Sequence, residues 1–199
     1  MWSDLSLKSP AGFERGGRLV TIGQLGGYAS ADISTPLSAD IVEGIDESVA
    51  SLEFTAGVST FPQVLLDGDR QVSLQAEAVT LNYGKLQPRL QLGRLFDEQD
   101  HWAEAEPVVI LSHALWQSEF DGRNNVLGET LRISDVNLDA ALLQQALRLG
   151  IELPTPPAQE YRIVGIMAPR MSGTFTDTTD IWLPYEQAVP FLFGAEEDQ

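Results

Sequence analysis

PVVILSHALWQSEFDGRNNVLGETLRI, residues 107–133, is the stretch on which the reading of the fold turns. It opens on a short apolar run without alternation, as in a strand covered on both faces. At Ser112 the pattern changes. Its hydroxyl suits the acceptor position at the start of a helix, and Trp116 and Phe120 follow one helical turn apart. Gly122 and Gly128 lie in the polar turn after it, and "ETLRI" reads as a second strand. Ser112-His113 also raises the question of a catalytic pair. Adjacent residues on a helix or strand point in different directions, and a triad needs an orienting acid as well. No G-x-S-x-G elbow surrounds the serine. The stretch therefore predicts Ser112 as the cap of a helix over 113–120, with Trp116 and Phe120 as core.

Upstream, "RLVTI" (18–22) reads as a strand running into a glycine-rich loop. A helix is predicted around Ile41, Ile45 and Val49, capped by Ser38. From 51 to 79 the period falls to two: Leu52, Phe54, Ala56 and Val58 alternate with mostly polar neighbours. After the Asp67-Gly68 turn, Val72, Leu74, Ala76 and Ala78 alternate with Gln71, Ser73, Gln75 and Glu77, so half-buried antiparallel strands are expected. "LNYGKLQPRLQLGRLF" gives a short helical turn, Pro88 and a Gly93-Arg94 turn, before the polar loop "DEQDHWAEAE". Downstream, "YRIVGIM" and "DIWLPY" read as strands. Between them and "ETLRI", the segment "LDAALLQQALRLG" carries Leu138, Leu142 and Leu149 on one helical face. A proline-rich connector follows it, and "GAEEDQ" reads as a solvated tail. Mixed strands, hairpins and helices suggest α+β in two lobes.

Composition bounds the function. The 199 residues carry 29 acidic against 12 basic side chains, a net charge of −17, which disfavours nucleic acid and anionic lipid surfaces. With no cysteine there is no disulfide scaffold, thiolate metal site or thiol nucleophile. No segment approaches the ~20 apolar residues of a membrane span.

Chemistry-bearing patterns are sparse. The two histidines, His101 and His113, stand outside any H-E-x-x-H pattern, and His101 reads as a surface residue. Asp177 and Asp180 in "GTFTDTTD" lack EF-hand spacing and read as solvated turn residues. Glycines 16, 17, 23, 26 and 27 form no phosphate cradle. Two other classes stay open: an acidic hydrolase, which needs two carboxylates across a deep pocket, and a carbohydrate-binding or adhesion module, which needs exposed aromatics on one face. Exposure of Trp102 and Trp182 discriminates the latter.

The ordered motifs resemble the MacB-type periplasmic core domain, the extracytoplasmic insert of ABC transporter permeases that also include FtsX-like and lipoprotein-release permeases. The similarity rests on Leu111, Ser112, His113, Ala114, Leu115, Trp116, Gln117, Phe120, Gly122, Leu127, Gly128, Thr130, Leu131 and Arg132, with Ile163, Val164 and Gly165 further on. Asn82, Tyr83, Leu86, Pro88, Gly93, Arg94, Leu95 and Phe96 resemble its upstream segment, and Trp182 and Pro184 its closing strand. Gly84 stands where the family usually has a second aromatic, "DGRN" replaces "GGDP", and a short link is expanded into an insertion at 135–158.

The resemblance implies a ferredoxin-like, porter-type lobe over 15–95 and 172–192 and a smaller, mixed α/β sabre-type lobe over 96–171. It implies an excised piece of a larger chain, flanked by apolar helices, at the periplasmic face of the bacterial inner membrane. The role implied is non-catalytic, without cofactor or metal: ATP-driven motion is passed to substrate export or to a periplasmic partner. Partners so implied are the membrane helices of the parent permease, a cytoplasmic ATPase subunit or domain, a periplasmic adaptor or substrate protein, and a second copy. The residues of the motif are implied to be structural.

Overall fold

A computed structural model describes Phe13 and residues 53–68, 70–102, 104–134, 158–174 and 178–188. The strand expected at 18–22, the helix at 38–49, the insertion helix, Asp177 and the acidic tail lie outside the described residues. Among the described residues seven strands run in chain order: β1 (Val58–Asp67), β2 (Arg70–Val79), β3 (Leu90–Gly93), β4 (Val108–Leu111), β5 (Thr130–Ser134), β6 (Ala158–Met167) and β7 (Ile181–Pro184). Helix α1 (His113–Phe120) follows β4. The strands form one sheet in the order β3-β6-β4-β7-β2-β1-β5, and β5 also pairs with β6. That second pairing closes β6-β4-β7-β2-β1-β5 into a six-stranded, barrel-like ring, with β3 added along β6. Closure removes most free edges. Strands from both of the expected ranges share this sheet: β1 and β7, within 15–95 and 172–192, pair with β5 and β4, within 96–171.

The hairpin at the Asp67-Gly68 turn is present, with Asp67 facing Arg70 across the turn. Its first strand lies further along than the alternation of Leu52 to Val58 predicts. Residues 54–57 are outside any strand, and β1, Val58–Asp67, includes Pro62. Pro62 lacks an N–H, but β5 pairs only with Val64–Leu66 of β1, so Pro62 lies where an edge proline is tolerated. β3 is a second departure, because the Gly93-Arg94 turn signal hides a short strand that ends at Gly93. The apolar run 108–111 is buried throughout, as expected for a strand covered on both faces.

The ends of the insertion adjoin. Ser134 and Ala158 face one another in the β5–β6 ladder, so 135–157 leaves and returns at one point of the barrel.

Two apolar clusters follow from strand alternation. Side chains such as Ala76, Val109, Leu111, Leu131, Ile133, Ile163, Ile181 and Leu183 pack together with Leu115 and Trp116 of α1. On the opposite face of the sheet Val79, Ile110, Met167 and Trp182 pack with Tyr83 of the 3-10 turn at 81–86 and with Met171. The sheet is therefore covered on both sides where β2, β7, β4 and β6 meet.

Candidate functional site

The outer cluster surrounds a recess of about 260 Å³, counted with its open mouth, whose walls include Tyr83, Phe96, His101, Ile110, Met167 and Trp182. Among the described residues no carboxylate lines it. Below it lies a buried polar group that alternation places in solvent: Glu77 on β2 is fully buried. It faces Trp182 across the parallel β2–β7 pairing. Trp182 Nε1 donates to Glu77 Oε2 at 2.8 Å, Thr174 N–H to Oε1 at 2.6 Å, and Thr174 Oγ1 to Oε2 at 3.0 Å. The Tyr83 hydroxyl lies 3.1 Å from Thr174 Oγ1 and is the donor there, since the threonine proton is directed at Glu77. Burial, then the Glu77 carboxyl, pushes the Tyr83 hydroxyl far above the usual tyrosine range, so it stays neutral. One carboxyl group thus ties the sheet to the loop after β6.

A second set of contacts fixes the loop after β3. Gly93 takes φ +78°, and a Cβ there would stand 2.2 Å from the Val164 carbonyl oxygen. Gly165 is constrained from the other side, with a Cβ position 2.6 Å from the Arg94 carbonyl oxygen. The two glycines let β3 and β6 approach so closely that only hydrogen fits. Arg94 N–H then donates to the Val164 carbonyl at 3.0 Å, and its guanidinium grips both carboxyl oxygens of buried Asp100. Burial alone would raise the Asp100 pKa. The hydrogen bond from Arg94, the Asp97 N–H and the nearby positive charge outweigh it and hold the carboxyl below the usual range. Gln187 closes the arrangement: its Oε1 accepts from Val108 N–H at 3.1 Å and its Nε2 donates to the Asp100 carbonyl at 2.9 Å.

Two solved structures share this architecture. The periplasmic region of MacB from Actinobacillus actinomycetemcomitans superimposes with a TM-score of 0.52 at 14% identity, over 77% of this chain and 57% of that one. The extracellular domain of the ABC-type transporter YknZ from Gram-positive bacteria gives 0.52 at 11% identity, over 77% and 65%. The chain has the fold of the MacB-type periplasmic domain. It spans less than two thirds of either of these structures. No protein-family model and no curated protein matches it by sequence.

In this MacB-type fold the motif residues fall into two groups. Tyr83, Phe96 and Trp182 meet at the recess, and Gly93, Arg94 and Gly165 lock β3 onto β6 beside it. Pro88 is buried and bridges to Phe13, while Pro184 ends β7 opposite Val79. The second group surrounds α1. Ser112 Oγ accepts from Leu115 N–H at 3.0 Å, as the sequence predicts for a cap. Among the described residues no acid orients His113, whose ring lies edge-on to Trp116 at 5.3 Å. Trp116 is buried and donates from Nε1 to the Arg123 carbonyl at 2.8 Å, whereas Phe120 is only half-buried. Gly128 takes φ +88° and donates to the Ile163 carbonyl, placing Leu131 in the core.

Two expectations change, and one discriminator is answered. His101 is not a surface residue: it is buried, and its Nδ1 lies 2.6 Å from Glu186 Oε2. Asp180 is no solvated turn residue, because it clasps Gln75 by accepting at Oδ2 and donating from its own N–H. Of the two aromatics that discriminate an adhesion surface, Trp182 is core and only Trp102 is exposed. Sequence reading also passed over Glu77 and Gln187. The one signal available for Glu77 was the short side chains of Ala76 and Ala78 beside it, which allow the sheet to be covered closely.

Proposed function

We propose that the chain is the extracytoplasmic domain of an ABC transporter permease, at the periplasmic face of a bacterial inner membrane. It carries no chemistry of its own and passes ATP-driven motion to a substrate or periplasmic partner. The observation that supports this reading is the shared fold with the MacB and YknZ domains, supported by the motif residues serving as close-approach and clasp positions. Among the described residues no helix is long and apolar enough to cross a membrane, so the spans would belong to flanking parts of the parent protein. Its partners there would be those membrane helices, a cytoplasmic ATPase and a periplasmic adaptor or second copy. The same proposal carries the porter-type range (15–95, 172–192) and the sabre-type range (96–171), joined through the strand pairings they share.

These 199 residues contain no cysteine, so in a parent protein whose cysteines elsewhere are replaced by serine one introduced thiol reports alone. Ser73 is exposed on β2. In the full parent protein carrying Ser73→Cys, a membrane-impermeant maleimide should label cells whose outer membrane has been permeabilised but whose inner membrane is intact. Labelling only after lysis would refute the extracytoplasmic placement.

A further inference from the structure

The loop DEQDHWAEAE, residues 97–106, contains five carboxylates and one tryptophan. Its polar contacts are directed inward. Asp100 is held by Arg94 and by Asp97 N–H, Gln187 holds the carbonyl of Asp100, and His101 is buried against Glu186. The backbone of Trp102 is fixed on both sides: its N–H donates to the Gln99 carbonyl and its carbonyl accepts from Ala105 N–H. Trp102 is nevertheless 60% exposed, while Trp116 and Trp182 are buried. A large, stiff aromatic on a backbone already fixed loses little freedom on docking, which is the character of an interface anchor.

The charges around it select the occupant. Asp97 pairs with Arg94 and Glu106 with Arg162, but Glu98 and Glu104, exposed on either side of Trp102 in the loop, have no ion pair among the described residues. Together with the net charge of −17 they repel anionic lipid and nucleic acid and attract cations. A guanidinium over the indole face would gain a cation–π contact within a loop whose exposed Glu98 and Glu104 supply a favourable negative charge. We infer that Trp102, with Glu98 and Glu104, is a docking anchor for a basic, arginine-bearing surface of a partner protein. The surface stands independently of the transport reading, since its test needs only the chain itself.

The test is a titration of the 199-residue chain with fluorescently labelled hexa-arginine peptide at low salt, followed by anisotropy. Trp102→Ala should weaken binding about 2–5-fold, the loss of one exposed cation–π contact, with unchanged circular dichroism. Glu104→Lys should weaken it more than Asp67→Lys, an equal charge change in the β1–β2 turn. Hexaglutamate should not bind. Binding insensitive to Trp102→Ala, or weakened equally by Glu104→Lys and Asp67→Lys, would show diffuse charge attraction and overturn the inference. Binding to phosphatidylcholine vesicles that Trp102→Ala abolishes, with peptide binding unaffected, would also overturn it in favour of a membrane occupant.

Discussion

The two faces of the sheet hold the same strands by different means. The inner face is largely apolar: Ala76, Val109, Ile163 and Leu183 meet there, and the polar atoms of that cluster are few, the Trp116 Nε1–H donating to the Arg123 carbonyl and the Tyr161 hydroxyl to Gln159. Such packing is non-directional and tolerates repacking at constant volume. The outer face buries Glu77, Trp182, Tyr83 and, at its margin, Asp100 and Gln187, each of which needs a partner at a fixed angle and distance. Buried polar groups cost heavily when a partner is lost. The inner face therefore makes a barrel, and the outer face decides where the loops after β3 and β6 lie on it. Tyr83, Gly93, Arg94, Gly165 and Trp182 all belong to the outer side.

The largest difference should come from Trp182→Ala, which empties a fully buried site and leaves Glu77 without one donor. A loss of about 3–5 kcal/mol is expected from the cavity alone, read as a lowered denaturant midpoint. Gly93→Ala comes next, because it adds a Cβ into the Val164 carbonyl at a positive φ. Strain of about 1–3 kcal/mol is expected there, and a melt within error of wild type would show that β3 can move away from β6. On the inner face Ile163→Val should cost only about 0.5–1.5 kcal/mol, and a larger loss would mean that this side too is tightly specified.

The smallest effect concerns pH. Asp100 has a folded pKa below its unfolded value, so its contribution is present above the ordinary carboxylate range and is lost as pH falls through the lowered value. Asp180 runs the other way, since burial raises it and the Gln75 N–H offsets this only in part. Its contribution is complete below the ordinary value and is lost as pH rises through the raised one. Thermal melts from neutral pH into acid should therefore fall less steeply for Asp100→Asn than for wild type. Parallel curves would show that the Arg94 contact does not outweigh burial.

What was legible follows the same division. Residues 108–111 announced a doubly covered strand by lacking alternation, and Ser112 announced its helix by chemistry that is local to one turn. Leu74, Ala76 and Ala78 were assigned to the core by period alone. The same period sent Glu77 to solvent, because alternation is blind to a second layer, and the 81–86 turn and 168–174 loop that cover it arrive from elsewhere in the chain. His101 failed for that reason, its partner Glu186 being 85 positions away. β1 begins later than the alternation predicts because 52–58 alternates as well as a strand does, whereas the stretch that forms β1 contains Pro62, a residue disfavoured in central strands.

The claim that the motif marks a polar clasp rather than an apolar wall is tested most directly by a double-mutant cycle between Glu77 and Trp182. Trp182→Phe keeps most of the ring and removes the Nε1 donor, and Glu77→Ala removes the acceptor. Denaturant unfolding of both single variants and the double should give a coupling of about 1–2 kcal/mol, the double being less destabilised than the sum. Additivity within about 0.3 kcal/mol would contradict the account and leave Trp182 as simple hydrophobic filling.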